Sequence, residues 1–168
     1  DTGRYSWAEL KQLELDTEKR LLVRNTPMFE IFSYAKKQGK RVVAVSDMYL
    51  GRKEIEPFLQ NCGYTGFDEI YVSADVKKTK YRLDLFEYVV NAEKVNAAQI
   101  VHIGDSLKDD FENAKKCGLN AVLYKGHRNK ADVSLYRSIS TGAANLIKNE
   151  GHGFWAELGA AVGGPLYG

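Results

Sequence analysis

Closely spaced carboxylates follow a short apolar run in this sequence. Asp105 comes directly after Ile100–Gly104, and Asp109 and Asp110 lie four and five residues further on. Such a group suits a hard cation like Mg²⁺, which binds one or two carboxylates together with waters and phosphate oxygens. The alternative is that an aspartate here only caps the following helix. We predict that Asp105 and Asp110 bind the metal and that Asp109 caps or supports; we call Gly104–Asp110 the acidic loop.

Two other polar side chains could join the acidic loop in binding a phosphate. Ser46 ends the apolar run Val42–Val45, and its hydroxyl and backbone N–H suit a phosphate at a helix entrance. Lys80 precedes an amphipathic segment, and its ammonium could neutralise a phosphoryl group. Taken singly, such a serine is usually a turn residue and such a lysine a solvated one, and Lys77 and Lys78 compete with Lys80. Only their combination with the acidic loop favours a phosphate site.

The elements that must position these residues alternate between strands and helices. β-Branched apolar runs predict buried strands, and amphipathic stretches, two of which stop at a glycine, predict helices. The predicted strands are Val42–Val45, Ile70–Val72, Ile100–Ile103 and Ala121–Tyr124, and the helices between them are Lys53–Cys62, Tyr81–Glu93 and Asp110–Cys117. This alternation implies right-handed crossovers and a parallel sheet. Ligands bind beyond the carboxyl ends of such strands, so the hydroxyl, the ammonium and the carboxylates should converge on one rim.

Two more helices are predicted ahead of the first strand. Ser6–Glu9 has the spacing of a capping box, so a helix should begin there and run to about Val23. Thr26 is the predicted N-cap of the second helix, because Pro27 suits the first helical position. Gly39 is expected to end that helix in a left-handed conformation.

Composition excludes several classes of protein. The 168 residues suit one domain, and the net charge of +2 is too small, with basic residues too scattered, to indicate nucleic acid. No apolar run approaches the roughly 18 residues that span a membrane, and no secretory leader is recognisable. Cys62 and Cys117 each precede a glycine at a helix end, where small buried thiols are favoured over a disulfide. We therefore expect a cytoplasmic protein without a membrane span.

Three segments together resemble motifs two to four of the haloacid dehalogenase (HAD) superfamily of phosphohydrolases. They are Val43–Leu50 (VAVSDMYL), Lys80–Phe86 (KYRLDLF) and Ile100–Gly118 (IVHIGDSLKDDFENAKKCG), and the resemblance covers about 26–124. It implies an α/β fold with three αβα layers and a Rossmann-like parallel sheet. Residues 1–25 would be the remnant of a helical cap, 26–126 the HAD-like core, and 127–168 a carboxyl-terminal helix, within 132–148, and a linker to a further domain.

The resemblance also implies a role for each candidate site residue. Ser46 would bind the transferring phosphate, and Lys80 would screen its charge. Asp105 would be a Mg²⁺ ligand, with Asp110 beside it. The residues that would support these four from their immediate surroundings are Asp47, Ser106 and Asp109.

The first motif of the family is absent from the sequence. That motif is Asp-x-Asp-x-Thr after a strand, where the first aspartate is the nucleophile and the second is the general acid/base; no such pattern occurs. Without the nucleophile the aspartyl-phosphate mechanism cannot run, so the chain alone is predicted to be inactive. In the family this strand lies between the strands at 42–45 and 100–103, and its loss would open a gap of roughly 10 Å with unpaired backbone on both sides. We expect a missing upstream segment, lost by truncation or processing, or another chain to fill it.

The form VSDMYL further resembles a bacterial subgroup found in polysaccharide-biosynthesis proteins beside glycosyltransferases. That resemblance implies a phosphorylated small molecule, such as a sugar phosphate, as substrate, and a glycosyltransferase domain in the same polypeptide. The main hypothesis is thus a Mg²⁺-dependent phosphohydrolase whose nucleophile lies upstream. The alternative is a non-catalytic domain that binds phosphate or scaffolds a neighbour. A bacterial receiver domain ranks below both, because its acidic pair comes first and its lysine last.

Overall fold

The first helix begins at the predicted capping box. The computed structural model describes residues 5–124, so the predictions for 127–168 lie outside the described residues. Helix α1 spans Trp7–Leu21. The Ser6 hydroxyl accepts a hydrogen bond from the Glu9 N–H, and the Glu9 carboxylate accepts one from the Ser6 N–H at 2.7 Å. Two of the backbone donors at the helix entrance are thereby satisfied.

The second helix starts one residue earlier than predicted and uses a different cap. Helix α2 spans Thr26–Lys37, and its N-cap is Asn25, whose side chain accepts from the Met28 N–H at 3.2 Å. The prediction of Thr26 as the cap was wrong by one residue, because asparagine one position earlier is the stronger capping residue. Gly39 follows the helix with φ +66°, the left-handed conformation expected of its stop.

Four short strands and four helices make up the rest of residues 5–124. Their bounds are β1 Val43–Ser46, α3 Arg52–Asn61, β2 Glu69–Val72, α4 Ser73–Val76, α5 Asp84–Glu93, β3 Val101–Gly104, α6 Asn113–Lys116 and β4 Asn120–Leu123. A 3₁₀ turn (Ala97–Gln99) precedes β3, and a π-helical segment (Leu107–Glu112) precedes α6. The predicted alternation of strands and helices is therefore confirmed, and the short helix α4 is an addition that was not predicted.

The strands pair in parallel, in two separate ladders. β1 pairs with β2, ending with Ser46 opposite Val72, and β3 pairs with β4, ending with Gly104 opposite Leu123. Parallel pairing was predicted and is confirmed. Within residues 5–124, however, no ladder joins β1 to β3. The described sheet thus divides between the two strands that flank the predicted gap.

Each ladder has its own apolar core. The larger core, against β1 and β2, contains four aromatic rings whose centroids lie 4.8–6.3 Å apart: Phe29, Phe32, Tyr64 and Phe67. The smaller core, beside β3 and β4, is built around the fully buried Phe86 with Ala114 and Leu119. Burying one such phenylalanine contributes roughly 1.5–3 kcal/mol, so both halves have a substantial driving force for folding.

Two predictions about the chain as a whole concern its thiols and its helices. Cys62 is buried and Cys117 half-buried, and both are free thiols, as predicted. Burial raises the pKa of each thiol, which keeps it protonated. Among the helices of residues 5–124, none combines the length and the apolar character needed to cross a bilayer.

Candidate active site

Lys80 connects the two halves of the divided sheet. Its backbone N–H donates to both carboxylate oxygens of Asp47, at 2.9 Å each, and its ammonium donates to Asp110 Oδ1 at 2.6 Å. Asp47 follows β1, whereas Asp110 lies in the π-helical segment after β3. One residue therefore brings together the strand ends that the sequence analysis expected to converge, and it does so in a buried position.

A turn rather than a helix presents Lys80. The predicted helix Tyr81–Glu93 begins only at Asp84, because Leu83 has a φ of +70° and its N–H donates to the Lys80 carbonyl at 3.1 Å. A left-handed leucine is strained by about 1–3 kcal/mol, and such strain persists only where surrounding contacts hold it. The Asp84 side chain accepts from the Thr79 N–H at 2.8 Å, which closes the turn.

The competing lysines are placed differently. Lys77 is exposed, at the left-handed end of α4, and Lys78 is half-buried, whereas Lys80 is buried with its ammonium paired. Asn113, which is also buried, donates its side-chain amide to the Lys80 carbonyl at 3.2 Å. Both ends of Lys80 are thus fixed by the protein, which sets it apart from its neighbours. The selection of Lys80 among the three from the family spacing agrees with this geometry.

Asp110 is almost completely buried and accepts three hydrogen bonds. Its Oδ1 accepts from Lys80 Nζ and lies 3.0 Å from His102 Nε2, and its Oδ2 accepts from the Ser106 N–H at 3.0 Å. Burial alone would raise the pKa of this carboxyl. The hydrogen bond from His102 and the charge of Lys80 together outweigh burial and hold the pKa of Asp110 well below its usual range. Asp110 is therefore a carboxylate at any ordinary pH.

The backbone reaches this arrangement because Gly104 has no side chain. A β-carbon at position 104 would lie 2.3 Å from Asp110 Cγ, a distance that no packed structure tolerates. The predicted helix Asp110–Cys117 instead starts at Leu107 as a π-helical turn, capped by the Ser106 hydroxyl, which accepts from the Asp109 N–H at 3.1 Å. π-Helical turns are rare and occur frequently at functional sites, so this turn agrees with the choice of the acidic loop as a candidate site.

The other candidate residues lie around the Lys80–Asp110 pair. Ser46 is buried at the end of β1, and Asp47 is half-buried beside it. Burial, only partly offset by the Lys80 N–H and charge, raises the pKa of Asp47. Asp105 is exposed at the end of β3. Asp109 accepts from the Ser106 hydroxyl at 3.3 Å, but the cap of this turn is Ser106, so the predicted capping role of Asp109 was wrong and its carboxylate instead supports the cap.

Three contributors were not singled out from the sequence. His102 contacts Asp110, and Asn113 donates to the Lys80 carbonyl. Ser73 fixes the chain after β1, because its Oγ accepts from the Met48 N–H at 2.7 Å and donates to the Met48 carbonyl at 2.9 Å. The alternation of side chains along a strand could have pointed to His102, because it lies two residues before Gly104 and so shares its face of β3.

Asp105 and Asp110, the two predicted Mg²⁺ ligands, lie in different surroundings. In residues 5–124 no group of three or more histidine, cysteine, aspartate or glutamate side chains is arranged to hold a metal. Asp105 is exposed and has the chemistry of a Mg²⁺ ligand. Asp110 faces three protein donors, so a cation would have to displace at least one of them. Asp105 fits the predicted metal, and Asp110 fits better as the partner of Lys80.

Comparison with known proteins gives the class of protein. Residues 8–124 match the haloacid dehalogenase-like hydrolase family, and the chain belongs to that family. Its fold is correspondingly the αβα Rossmann-like fold of HAD proteins. A search of curated proteins found no match.

Solved structures of the same fold resemble the chain over part of their length. A HAD phosphatase from Thermococcus onnurineus shares 25% identity at a TM-score of 0.50, with 58% of this chain and 45% of that one covered. YfnB of Bacillus subtilis, a HAD-type protein bound to magnesium, shares 24% identity at 0.50, with 60% and 45% covered. A hydrolase from Streptococcus pneumoniae shares 18% at 0.50, with 67% and 55% covered. The chain thus spans about half the length of these proteins.

Proposed function

We propose that this chain supplies the phosphate-binding and Mg²⁺-binding part of a phosphohydrolase that cleaves phosphate monoesters. The observation that carries the proposal is Lys80, which is bound to Asp47 through its backbone and to Asp110 through its ammonium. That contact assembles residues from three separate segments at the carboxyl ends of the strands, where ligands of parallel sheets bind. Membership of a hydrolase family and the likeness to a HAD phosphatase at 25% identity support it.

Each residue has a role that follows from its chemistry. Ser46 would donate its hydroxyl and backbone N–H to the phosphate at the end of β1. Lys80 would neutralise charge that develops on the phosphoryl oxygens, which is the main way in which proteins assist phosphoryl transfer. Asp110 holds the lysine in place and compensates its charge in a buried position. Asp105 would hold Mg²⁺ with Asp110 nearby, and the metal would supply further neutralisation of the phosphate.

The proposal requires a nucleophile from outside these 168 residues. A hydrolase of this kind needs an aspartate at the end of a strand, and no Asp-x-Asp-x-Thr pattern occurs in the sequence. We propose that a strand carrying it lies between β1 and β3, supplied upstream in a longer polypeptide or by another chain. The division of the described sheet at that position supports this placement, because backbone groups on both facing edges would gain partners.

A non-catalytic function is the second candidate, and one observation favours it. The 168 residues contain the phosphate-binding and charge-screening positions but not the nucleophile motif. The chain would then bind a phosphorylated ligand or scaffold a neighbouring enzyme. For either candidate, the VSDMYL resemblance supports a bacterial protein whose ligand is a sugar phosphate and whose neighbour is a glycosyltransferase domain, and the two free thiols support a cytoplasmic location.

The test uses the natural reading frame extended upstream to include the first strand. Mg²⁺-dependent release of phosphate from an aryl phosphate is measured for that protein and for three variants. Lys80→Met should lower kcat/KM by about 10²–10³-fold, because a charge-stabilising group is lost. Asp105→Asn should abolish the Mg²⁺-dependent release of phosphate. The exposed control Lys77→Met should leave the activity unchanged. Full activity in Asp105→Asn would reject the metal assignment, and no turnover in the extended protein would favour the binding function.

A further inference from the structure

His102 shares the buried oxygen to which Lys80 is bound. Its Nε2 lies 3.0 Å from Asp110 Oδ1, the same atom that accepts from Lys80 Nζ at 2.6 Å. The imidazole is mostly buried, with 12% of its side chain exposed, and packs edge-on against the ring of Phe86 at a centroid distance of 4.9 Å. The histidine is therefore held by packing on one side and by a carboxylate on the other.

The chemistry of the acceptor identifies the donor. Asp110 is the counterion of the Lys80 ammonium, which donates to its Oδ1 at 2.6 Å, and its Oδ2 accepts from the Ser106 N–H, so both oxygens belong to a carboxylate, which can only accept hydrogen bonds. The Nε2 atom of His102 therefore carries a hydrogen and donates it. Asp110 then receives two donors on Oδ1 and one, from the Ser106 N–H, on Oδ2. Three donors from three directions fix the plane of the carboxylate.

We propose that His102 is a positioning residue that holds Asp110 in the orientation that binds the Lys80 ammonium. The proposal rests on the proposed function, in which Lys80 screens the phosphate. Without the Nε2–H donor, Asp110 would keep the Ser106 N–H on Oδ2 and only the Lys80 ammonium on Oδ1. The carboxylate could then turn about its Cβ–Cγ bond, and the long lysine side chain would regain rotamer freedom. His102 itself would not touch the substrate.

Two substitutions separate hydrogen bonding from packing. His102→Phe keeps an aromatic ring against Phe86 but removes the donor. His102→Gln places an amide N–H at a reach similar to that of Nε2 but loses the ring. A purely structural role of the ring predicts that the phenylalanine variant resembles the wild type and the glutamine variant does not. The positioning role predicts the reverse.

The first measurement is made on the chain itself by ¹⁵N NMR. Imidazole spectra of the wild type and of the variants assign His102 among the three histidines of the sequence, and the expected tautomer carries its hydrogen on Nε2. Hydrogen exchange of the Lys80 ammonium is expected to accelerate about tenfold or more in His102→Phe, as loss of a charge-assisted hydrogen bond allows, and to stay near the wild-type rate in His102→Gln. Asp110→Asn is the reference for complete loss of the pair.

Several outcomes would overturn the proposal. A hydrogen on Nδ1 with Nε2 bare in the wild type would do so, and this measurement needs no variant to fold. A folded His102→Phe protein with wild-type exchange of the Lys80 ammonium would do so too, as would a folded His102→Gln protein that behaves like the phenylalanine variant. The amide fingerprint spectrum reports whether each variant is folded.

A second measurement distinguishes the positioning role from the proposed function. In the upstream-extended protein, His102→Phe should lower kcat for an aryl phosphate about tenfold with little change in KM, and His102→Gln should restore it. If the NMR results are as expected but the extended protein has no turnover, the positioning of Lys80 stands and the phosphohydrolase function fails. If turnover is normal in His102→Phe, the positioning role is wrong and the proposed function stands.

Discussion

Glu18 is a buried carboxyl group on the side of α1 that packs against the larger apolar core. It is only 1% exposed, and its Oε1 has no hydrogen-bond partner within residues 5–124. Leu15, three residues earlier, packs against the larger core, and Leu22, four residues later, belongs to it. Burial, together with the negative charge of Glu14 one turn away, raises the pKa of Glu18 to about 7. The carboxyl is thus mostly neutral in the folded protein below about pH 7.

This pKa fixes how stability should depend on pH. In the unfolded chain Glu18 titrates at its ordinary value of 4.5, and in the folded chain at about 7. Between these values the folded state binds a proton that the unfolded state has released, so stability falls as pH rises, by about 1.4 kcal/mol per pH unit. The contribution is complete below 4.5 and lost above 7, a total of about 3 kcal/mol.

Urea unfolding of the wild type and of Glu18→Gln, at about pH 5 and about pH 8, tests this reasoning. Glutamine is neutral throughout, so the variant should be the more stable protein at the higher pH. The difference between the two proteins should change by about 2.5 kcal/mol across that range, because pH 5 already lies half a unit above the unfolded pKa. Glu30→Gln is the matched control, because Glu30 is exposed on α2. If the wild type and Glu18→Gln show the same pH dependence, Glu18 does not titrate as described.

Three further predictions concern other buried positions. Gly104→Ala should lower the free energy of unfolding, measured with urea, by about 1–3 kcal/mol, because the β-carbon of the alanine would collide with Asp110. A change near zero would show that the acidic loop relaxes freely. Phe86→Ala should cost about 3–5 kcal/mol by thermal unfolding, because the side chain is fully buried. Iodoacetamide should modify both cysteines slowly at neutral pH, since burial raises the pKa of each thiol, and Cys62 should react more slowly than Cys117 because it is the more buried. Mass spectrometry measures the order of modification, and faster modification of Cys62 would contradict the prediction.

The parts of the fold that depend on local pattern were predictable. Apolar runs gave all four strands, and the capping box at Ser6 gave the start of α1. Residues next to strand ends were expected to meet, and Lys80 does join Asp47 to Asp110. Alternation and turn chemistry are properties of neighbouring residues, so one sequence is enough to read them.

Features that depend on distant contacts were not predictable. The left-handed Leu83 moved the start of α5 by three residues, and nothing in its own chemistry favours that conformation. The π-helical turn at Leu107–Glu112 depends on a carboxylate that folds back under Gly104. His102 looked like an ordinary strand residue until its distance to Asp110 was known. In each case the deciding interaction lies outside the local sequence pattern.

The space under Gly104 also makes two positions dependent on each other through evolutionary time. Asp110 occupies the volume where a side chain at position 104 would begin, so any larger residue there must wait until the carboxylate has moved or been replaced. A larger residue at position 104 is therefore expected mainly where Asp110, the counterion of Lys80, has shifted or been replaced. A glycine at position 104 then indicates that Asp110 has kept its place. Among descendants of this sequence, replacement of Gly104 would indicate chains in which Asp110 no longer holds Lys80 in its present position.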